Sequence, residues 1–209
     1  MALVSWKSAR VTRADLALLD SGNWLNDAVI GFWTEYLSTA PPPDGLGNPD
    51  VLIVDAASGN WMATEEDEED VLEALTNLEA ASKKMVLVPI SDRTDRGESL
   101  YQGTHWALLA LSRDGEDIHG AYYDSMGSSN LGQADVLAKR ISLGMGGRFR
   151  GLRQREAGKQ GNACDCGVFS LLFAEALARG QDPADVSQGQ ATAMRSRMRD
   201  TILKLAQRK

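Results

Sequence analysis

The sequence predicts an α+β protein made of one domain. Three apolar segments rich in β-branched and aromatic residues follow one another closely, at 85–90, 106–111 and 118–123. This content and short spacing are typical of neighbouring strands in one sheet. Segments with helical periodicity precede and follow the strands, and 209 residues are enough for one domain with a substantial core.

The first half of the chain contains two predicted helices and one further strand. Apolar residues at helical spacing predict a helix over 24–37, which the prolines at 41–43 end. The continuous apolar run 51–54 predicts a buried strand.

Thr64 is followed by six consecutive acidic residues at 65–70. This pattern predicts an N-cap and a first helical turn whose carboxylates complement the helix dipole. An acidic docking face for a basic partner is the alternative interpretation. The apolar residues expected on one face of this helix are Val71, Leu72, Leu75 and Leu78.

After the three central strands, the pattern becomes mainly helical. A helix is predicted over 133–143, a strand near 148–153, a largely buried helix from Cys166 to the stop at Gly180, and a last helix over 190–207. In the first of these helices, Val136, Leu137 and Ile141 are expected to face inward. In the last, Met194, Met198, Ile202 and Leu205 are expected on one face and the arginines of that helix on others. The polar stretch 91–103 is expected to be an exposed loop that leads into His105.

Composition excludes several classes of function. Twenty-two basic residues against 29 acidic ones give a net charge of -7, which argues against a nucleic-acid partner because such binding needs a cationic face. No apolar run approaches the ~18 residues of a membrane span, and the first residues lack the apolar core of a secretory signal. The only cysteines, Cys164 and Cys166, are too close in sequence for a disulfide framework, which fits a reducing compartment.

Cys166 is the candidate nucleophile. It lies where a polar loop, 158–162, runs into an apolar helix. A thiol at a helix N-terminus is stabilised as the thiolate by the helix dipole, and the free N–H groups there can bind an oxyanion. Cys164 is expected to lie just outside the helix and to gain less.

His105 and Asp124 are the candidate base and its orienting acid. His105 opens one predicted strand, and Asp124 closes the next. If these strands are antiparallel neighbours, the two side chains come close together, and the carboxylate can hold the imidazole tautomer. His119 is in mid-strand and is expected to be packed or solvated.

The same residues allow two other interpretations. Cys164, Cys166, His105 and His119 could form a zinc site, although one residue between the cysteines and thirteen between the histidines differ from the usual ligand spacing. A Cys-x-Cys redox pair is also possible, although the C-x-x-C spacing of thioredoxin-like sites is missing. Neither metal nor cofactor is therefore expected.

Four motifs carry a resemblance to a known family. The segment 160–167, Gln-Gly-Asn-Ala-Cys-Asp-Cys-Gly, resembles the Q-x-x-x-x-D-C-G signature of the Ulp1/SENP family of ubiquitin-like-protein cysteine proteases. Thr-His-Trp at 104–106 and Tyr-Tyr-Asp-Ser at 122–125 resemble its H-W and Y-D-S motifs, and Trp-Leu-Asn-Asp at 24–27 resembles its W-L-N-D helix start. Each motif alone is weak, but together and in order they are specific, and the deneddylase branch, which cleaves NEDD8, is the most similar.

The resemblance implies a papain-like α+β fold, with a central mixed or antiparallel sheet flanked by helices, in a single protease domain over 1–209. It also implies a role for each motif residue. These roles are Cys166 as nucleophile, His105 as general base and later acid, Asp124 as orienting acid, Gln160 as oxyanion donor, Trp24 and Trp106 as the walls of a narrow channel for a Gly-Gly tail, and Asp27 as a tail contact beside it. For the two tryptophans, core packing is the alternative interpretation.

The implied activity is cleavage after the C-terminal Gly-Gly of a ubiquitin-like modifier, in precursor maturation, in release from substrate lysines, or in both. NEDD8 is the first choice of modifier and SUMO the second. The implied protein is a monomer of the cytoplasm or nucleus, or both, whose partners are the modifier and its conjugates. Two alternatives are a non-catalytic module that binds a ubiquitin-like protein, and an acyltransferase with the same order of triad residues.

Overall fold

The computed structural model describes residues 1–92 and 105–207. A two-stranded hairpin precedes a five-stranded sheet, and helices lie before, between and after the strands. The strands are β1 (Val4–Trp6), β2 (Ala9–Val11), β3 (Val51–Ile53), β4 (Met85–Ser91), β5 (Trp106–Asp114), β6 (Asp117–Tyr123) and β7 (Arg148–Gln154). The helices are α1 (Arg13–Ala17), α2 (Asp27–Thr39), α3 (Ala56–Thr64), α4 (Glu68–Asn77), α5 (Leu131–Met145), α6 (Cys166–Ala178) and α7 (Gln188–Ala206), with short 3-10 turns at Ala80–Ser82 and Pro183–Asp185.

The large sheet is mixed, in the order β3-β4-β5-β6-β7. The three central strands pair antiparallel, and each outer strand pairs parallel with its neighbour. The predicted adjacency of the three apolar segments is therefore confirmed. In the β5–β6 pair Leu108 is opposite Tyr123, so His105 and Asp124 leave the sheet at the same end.

Strand β4 and the first six residues of β5 are largely apolar and buried because helices cover both faces of the sheet there. Leu87, Leu108 and Ala110 join one core with residues of α2, α6 and α7. Alternate side chains on the same strands, such as Val88 and Leu109, join a second core with residues of α3, α4 and α5. Successive side chains of a strand point to opposite faces of the sheet, so one apolar strand contributes to both cores.

Helix α6 is the element that positions Cys166. Most of its residues are buried, as its sequence predicts, and it ends before Gly180, whose φ of +70° suits a residue without a side chain. Helix α6 packs on β5, where Ser170 Oγ donates a hydrogen bond of 2.9 Å to the carbonyl of Ala107. This contact brings the first turn of α6 beside the start of β5, next to His105.

The prediction that Thr64 caps the acidic helix is wrong. Thr64 is the last residue of α3, a helix that the sequence analysis missed, and its hydroxyl donates to the carbonyl of Asn60. Helix α4 is capped instead by Asp67, whose carboxylate accepts from the N–H of Glu69. Acidic residues do occupy the first turn of α4, as predicted. Val71 and Leu75 are buried, whereas Leu72 and Leu78 are more than one-third exposed.

Three predictions of whether a side chain is buried or exposed are also wrong. Val136 is 44% exposed on α5, although Leu137 and Ile141 are fully buried as predicted. Ser91 is buried at the end of β4 rather than in an exposed loop, and the rest of the predicted loop lies almost wholly outside the described residues. Arg195 on α7 is 6% exposed, so not all arginines of this helix face away from the core. Among the helices of residues 1–92 and 105–207, none is both long and apolar enough to cross a membrane.

Candidate active site

His105 and Asp124 meet at the ends of β5 and β6. His105 Nε2 lies 2.8 Å from Asp124 Oδ1, and the two side chains are 10% and 0% exposed. The antiparallel register of the two strands creates this contact, as the sequence analysis expected. The other histidine, His119, is exposed in the middle of β6.

The carboxylate of Asp124 is held by four donors. Oδ1 accepts from the backbone N–H groups of Met126 and Gly127, at 2.7 and 2.9 Å, besides facing His105. Oδ2 accepts from the hydroxyl of Tyr122 at 2.7 Å. Burial alone would raise the pKa of Asp124, but the hydrogen bonds from His105, Met126, Tyr122 and Gly127 hold it well below its usual range.

The environment of His105 favours the protonated ring. Burial alone would lower the pKa of His105, but hydrogen bonds to Asp124 and Cys166, and the charges of both, raise it to about 10. Because Nε2 faces Asp124, Nδ1 is the ring nitrogen left for Cys166. The ring is therefore set between the carboxylate and the sulfur, in the order that a nucleophile, a base and an orienting acid require.

Cys166 is the first residue of α6 and is 3% exposed. Asp165, which precedes it, makes no side-chain cap to the helix. Its carboxylate accepts instead from Asn162, Gln188 and Arg195. The N–H groups of the first turn of α6 are thus left for an anion, which suits an oxyanion formed beside the sulfur.

Gln160 lies on the loop before α6 with both ends of its amide engaged. Its Oε1 accepts from the hydroxyl of Ser125 at 2.6 Å, and its Nε2 donates to the carbonyl of Asn162 at 2.6 Å. The backbone N–H of Gln160 also donates to the Ser125 carbonyl. These bonds tie Gln160 to the residue that follows Asp124, and one N–H of its amide remains for an oxyanion.

Trp106 is packed beside the first turn of α6 and the segment that leads into α2. It is 5% exposed, and its Nε1 donates to the carbonyl of Leu25 at 3.1 Å. A Cβ added at Gly167 would lie 3.3 Å from Trp106 Cδ1 and 3.2 Å from Leu25 Cβ, so the glycine after Cys166 permits this close packing. Trp24, next to Leu25, is 48% exposed. Trp106 is therefore fixed beside the nucleophile. Trp24 is half-exposed and adjoins Leu25, the residue to which Trp106 is bonded.

Asp27 is in the first turn of α2, after the N-cap Asn26. It lines a cleft of about 480 Å³ between β2, α2 and β3, together with Arg10 and Glu35. Its contact with a substrate tail stays a prediction.

Three residues that contact the site were not predicted from the sequence. Tyr122 bonds Asp124, Asn130 donates from Nδ2 to the carbonyl of His105 at 3.2 Å, and Arg195 bonds Asp165. The aromatic residue two positions before Asp124 was a usable signal, because alternate residues of a strand share a face. Asn130 lies only six residues after Asp124 but outside the strand, and Arg195 comes from a distant segment, so neither gave such a signal.

Comparison with known proteins assigns the family. A model described as the Ulp1 protease family, C-terminal catalytic domain, matches residues 23–208. The chain belongs to the Ulp1 protease family. It is thus a member of a family of cysteine peptidases, and the resemblance drawn from its motifs is confirmed.

Relatives and solved structures agree with this family. Human sentrin-specific protease 8 is 27% identical over 177 residues, covering 84% of this chain and 80% of that protein. NEDD8-specific protease 1 of Arabidopsis thaliana is 24% identical over 176 residues, covering 84% and 74%. The C-terminal Ulp1 protease domain, solved in complex with Smt3, the yeast ortholog of SUMO, superposes with a TM-score of 0.75 at 19% identity, covering 99% of this chain and 88% of that one. This likeness confirms the papain-like α+β fold.

Proposed function

We propose that this Ulp1-family chain is a thiol protease that cleaves after the C-terminal Gly-Gly of a ubiquitin-like modifier, with NEDD8 as its first substrate. The observation that carries the proposal is the buried contact of His105 with Asp124 beside Cys166. The names of the relatives, a sentrin-specific protease and a NEDD8-specific protease, support the choice of modifier.

The chemistry follows from the three side chains. Cys166 gives its proton to His105, and the sulfur attacks the carbonyl carbon of the terminal glycine. The oxyanion is bound by the backbone N–H groups at the start of α6 and by the side-chain N–H of Gln160. His105 then protonates the leaving amine, so that the C–N bond breaks and a thioester remains. A water molecule, losing its proton to His105, attacks the thioester and releases the modifier with a free carboxylate and Cys166 as the thiol.

The two tryptophans supply selectivity in this proposal. Trp24 and Trp106 form opposite walls of a channel that admits an extended chain without side chains, and Asp27 contacts the tail beside it. Two indole faces that close on an extended chain would exclude residues bulkier than glycine. The exposure of Trp24 supports this role, because a tryptophan that served only the core would be buried.

The remaining expectations form part of the same proposal. Residues 1–209 act as a single protease domain and as a monomer, with the modifier and its conjugates as partners. The protein works in the cytoplasm, the nucleus or both, where thiols are kept reduced. The two cysteines are free, as such a compartment requires.

The test uses electrophilic probes built on the C-termini of NEDD8, SUMO and ubiquitin. Wild-type protein, Cys166→Ala and the matched control Cys164→Ser are each mixed with each probe, and intact mass reports the adduct. We expect the NEDD8 adduct in the wild type and the Cys164→Ser control and its absence in Cys166→Ala. A SUMO adduct alone would establish the alternative modifier. No adduct with any probe would favour a binding module or an acyltransferase, and an adduct that persists in Cys166→Ala would make Cys164 the reactive thiol.

A further inference from the structure

Arg195 is a buried arginine whose donors are all in use. Its Nε donates to Asp165 Oδ1 at 2.7 Å. Its Nη2 donates to the carbonyls of Asn23 and Cys164, and its Nη1 to those of Leu18 and Asp20. These are five bonds from the five N–H groups of one guanidinium, at a residue that is 6% exposed.

The acceptors belong to two segments that are far apart in sequence. Asp165 and Cys164 directly precede the candidate nucleophile, Cys166. The other three carbonyls belong to the segment 18–23, which directly precedes Trp24. Arg195 on α7 therefore joins two segments: the residues just before Cys166 and the residues just before the exposed Trp24.

Neighbouring arginines of α7 do not repeat this arrangement. Arg197 pairs with Glu175 and lies over the ring of Trp33, at 5.3 Å from the ring centroid. Arg199 bonds the side chain of Asp20, and its own side chain is 31% exposed. Arg195 alone among these three contacts the residues before Cys166.

The segment 18–23 is a connection that belongs to neither a helix nor a strand. It lies between α1, which ends at Ala17, and α2, which begins at Asp27. Its carbonyls at 18, 20 and 23 are held by the guanidinium. The planar guanidinium of an arginine donates to several carbonyls in fixed directions, whereas the ammonium of a lysine cannot reproduce that geometry.

We propose that Arg195 is a positioning residue, which fixes the Trp24 wall of the Gly-Gly channel relative to Cys166. This inference rests on the proposed function. Arg195 touches neither the substrate nor the reacting atoms. It acts through the backbone of 18–23 on one side and through Asp165 and Cys164 on the other. Its loss therefore weakens the productive binding of the tail rather than the chemistry of the thiol.

The test compares Arg195→Lys with the matched control Arg197→Lys on the same helix, in a Cys164→Ser background that leaves one thiol. Iodoacetamide titration counts the active sites, and kcat and KM are measured with a fluorogenic NEDD8 C-terminal substrate. We expect Arg195→Lys to lower kcat/KM per active site at least tenfold, mainly through KM. The alkylation rate of Cys166 should stay within threefold of the unsubstituted background. Arg197→Lys should leave kcat/KM within twofold.

A double-mutant cycle with Trp24→Ala separates positioning from a general loss of stability. If Arg195 acts through Trp24, the two substitutions together cost little more than Trp24→Ala alone. If Arg195→Lys does not fold, the same cycle is measured with Asp165→Asn, which weakens the Arg195–Asp165 ion pair by removing the charge of the carboxylate.

Three outcomes would overturn the inference. They are a kcat/KM per active site within twofold of the background, full additivity with Trp24→Ala, and an alkylation rate that falls as much as kcat/KM. A background protein that turns over no modifier substrate would instead overturn the proposed function, and this inference with it.

Discussion

His105 Nε2 lies 2.8 Å from Asp124 Oδ1, and neither side chain is more than one-tenth exposed. Asp124 also accepts from Tyr122, Met126 and Gly127, so its orientation is fixed by bonds on both oxygens. The imidazole therefore has one orientation, in which its Nε2 is engaged by the carboxylate and its Nδ1 serves Cys166. Loss of the carboxylate charge should damage catalysis while leaving the shape of the site intact.

Asp124→Asn tests this relationship directly. The amide cannot stabilise the imidazolium and favours the wrong tautomer, so we expect kcat to fall about 10⁴-fold. The measurement is kcat with the NEDD8 C-terminal substrate. The control is Asp117→Asn, which removes an exposed pair with Arg148 and Arg150 and should leave kcat unchanged. A loss smaller than tenfold in Asp124→Asn would contradict the role of Asp124.

The raised pKa of His105 makes stability depend on pH. The folded protein keeps a proton on His105 up to about pH 10, whereas the unfolded chain releases it near 6.5. The stabilisation is therefore fully present below pH 6.5 and is lost as the pH rises through 10. We expect the free energy of unfolding to fall between pH 6.5 and 10, by an amount on the order of 1 kcal/mol or more.

The measurement is urea unfolding of wild type and His105→Gln across this range. Other groups titrate in both proteins, so the difference between the two curves isolates His105. We expect the wild type to lose more stability than the variant as the pH rises. Parallel curves would show that the proton is not held by the folded site.

Local pattern and chain neighbours were enough to predict the centre of the molecule. The strands β4, β5 and β6 were predicted because their composition and short connections are local properties. The start of α6 at Cys166 was predicted because a polar loop changes there to an apolar helix. These features placed His105 and Asp124 together at one end of the sheet and Cys166 at the start of a helix.

Elements that depend on tertiary contacts were not predicted. Helix α3 has little apolar periodicity, and it is held by the Asp55 cap and by packing so close that a Cβ at Gly59 would lie 2.5 Å from Val88 Cγ1. The burial of Arg195 depends on Asp165, thirty residues away, and on a segment at the other end of the chain. No local pattern distinguishes such an arginine from an exposed one.

The two candidate channel tryptophans should respond differently to truncation. Trp24 is 48% exposed, so about half of its surface is buried, and Trp24→Ala should lower the free energy of unfolding by only about 1–2 kcal/mol while lowering kcat/KM. Trp106 is 5% exposed and bonds Leu25, so Trp106→Ala should cost about 3–5 kcal/mol. Urea unfolding and kcat/KM are measured on both. A Trp24→Ala protein with normal kcat/KM would remove Trp24 from the channel.

Tyr122 should tune the site through Asp124, since its hydroxyl donates to Asp124 Oδ2 at 2.7 Å and accepts from the N–H of Asn130 at 3.3 Å. Tyr122→Phe removes a donor from a buried carboxylate, so the pKa of Asp124 should rise and that of His105 should fall. It also leaves a buried N–H without its acceptor, which should cost about 1–3 kcal/mol of stability. The neighbouring Tyr123 packs on Phe173 and is the matched control.

We expect Tyr122→Phe to lower kcat/KM by about ten- to a hundredfold, as the loss of one charge-assisted hydrogen bond implies. Its kcat/KM should also decline at a lower alkaline pH than that of the wild type, because His105 then loses its proton earlier. Tyr123→Phe should leave both properties unchanged. Equal behaviour of the two phenylalanine variants would contradict a role for Tyr122, because both remove one hydroxyl from the same strand and only one of those hydroxyls reaches Asp124.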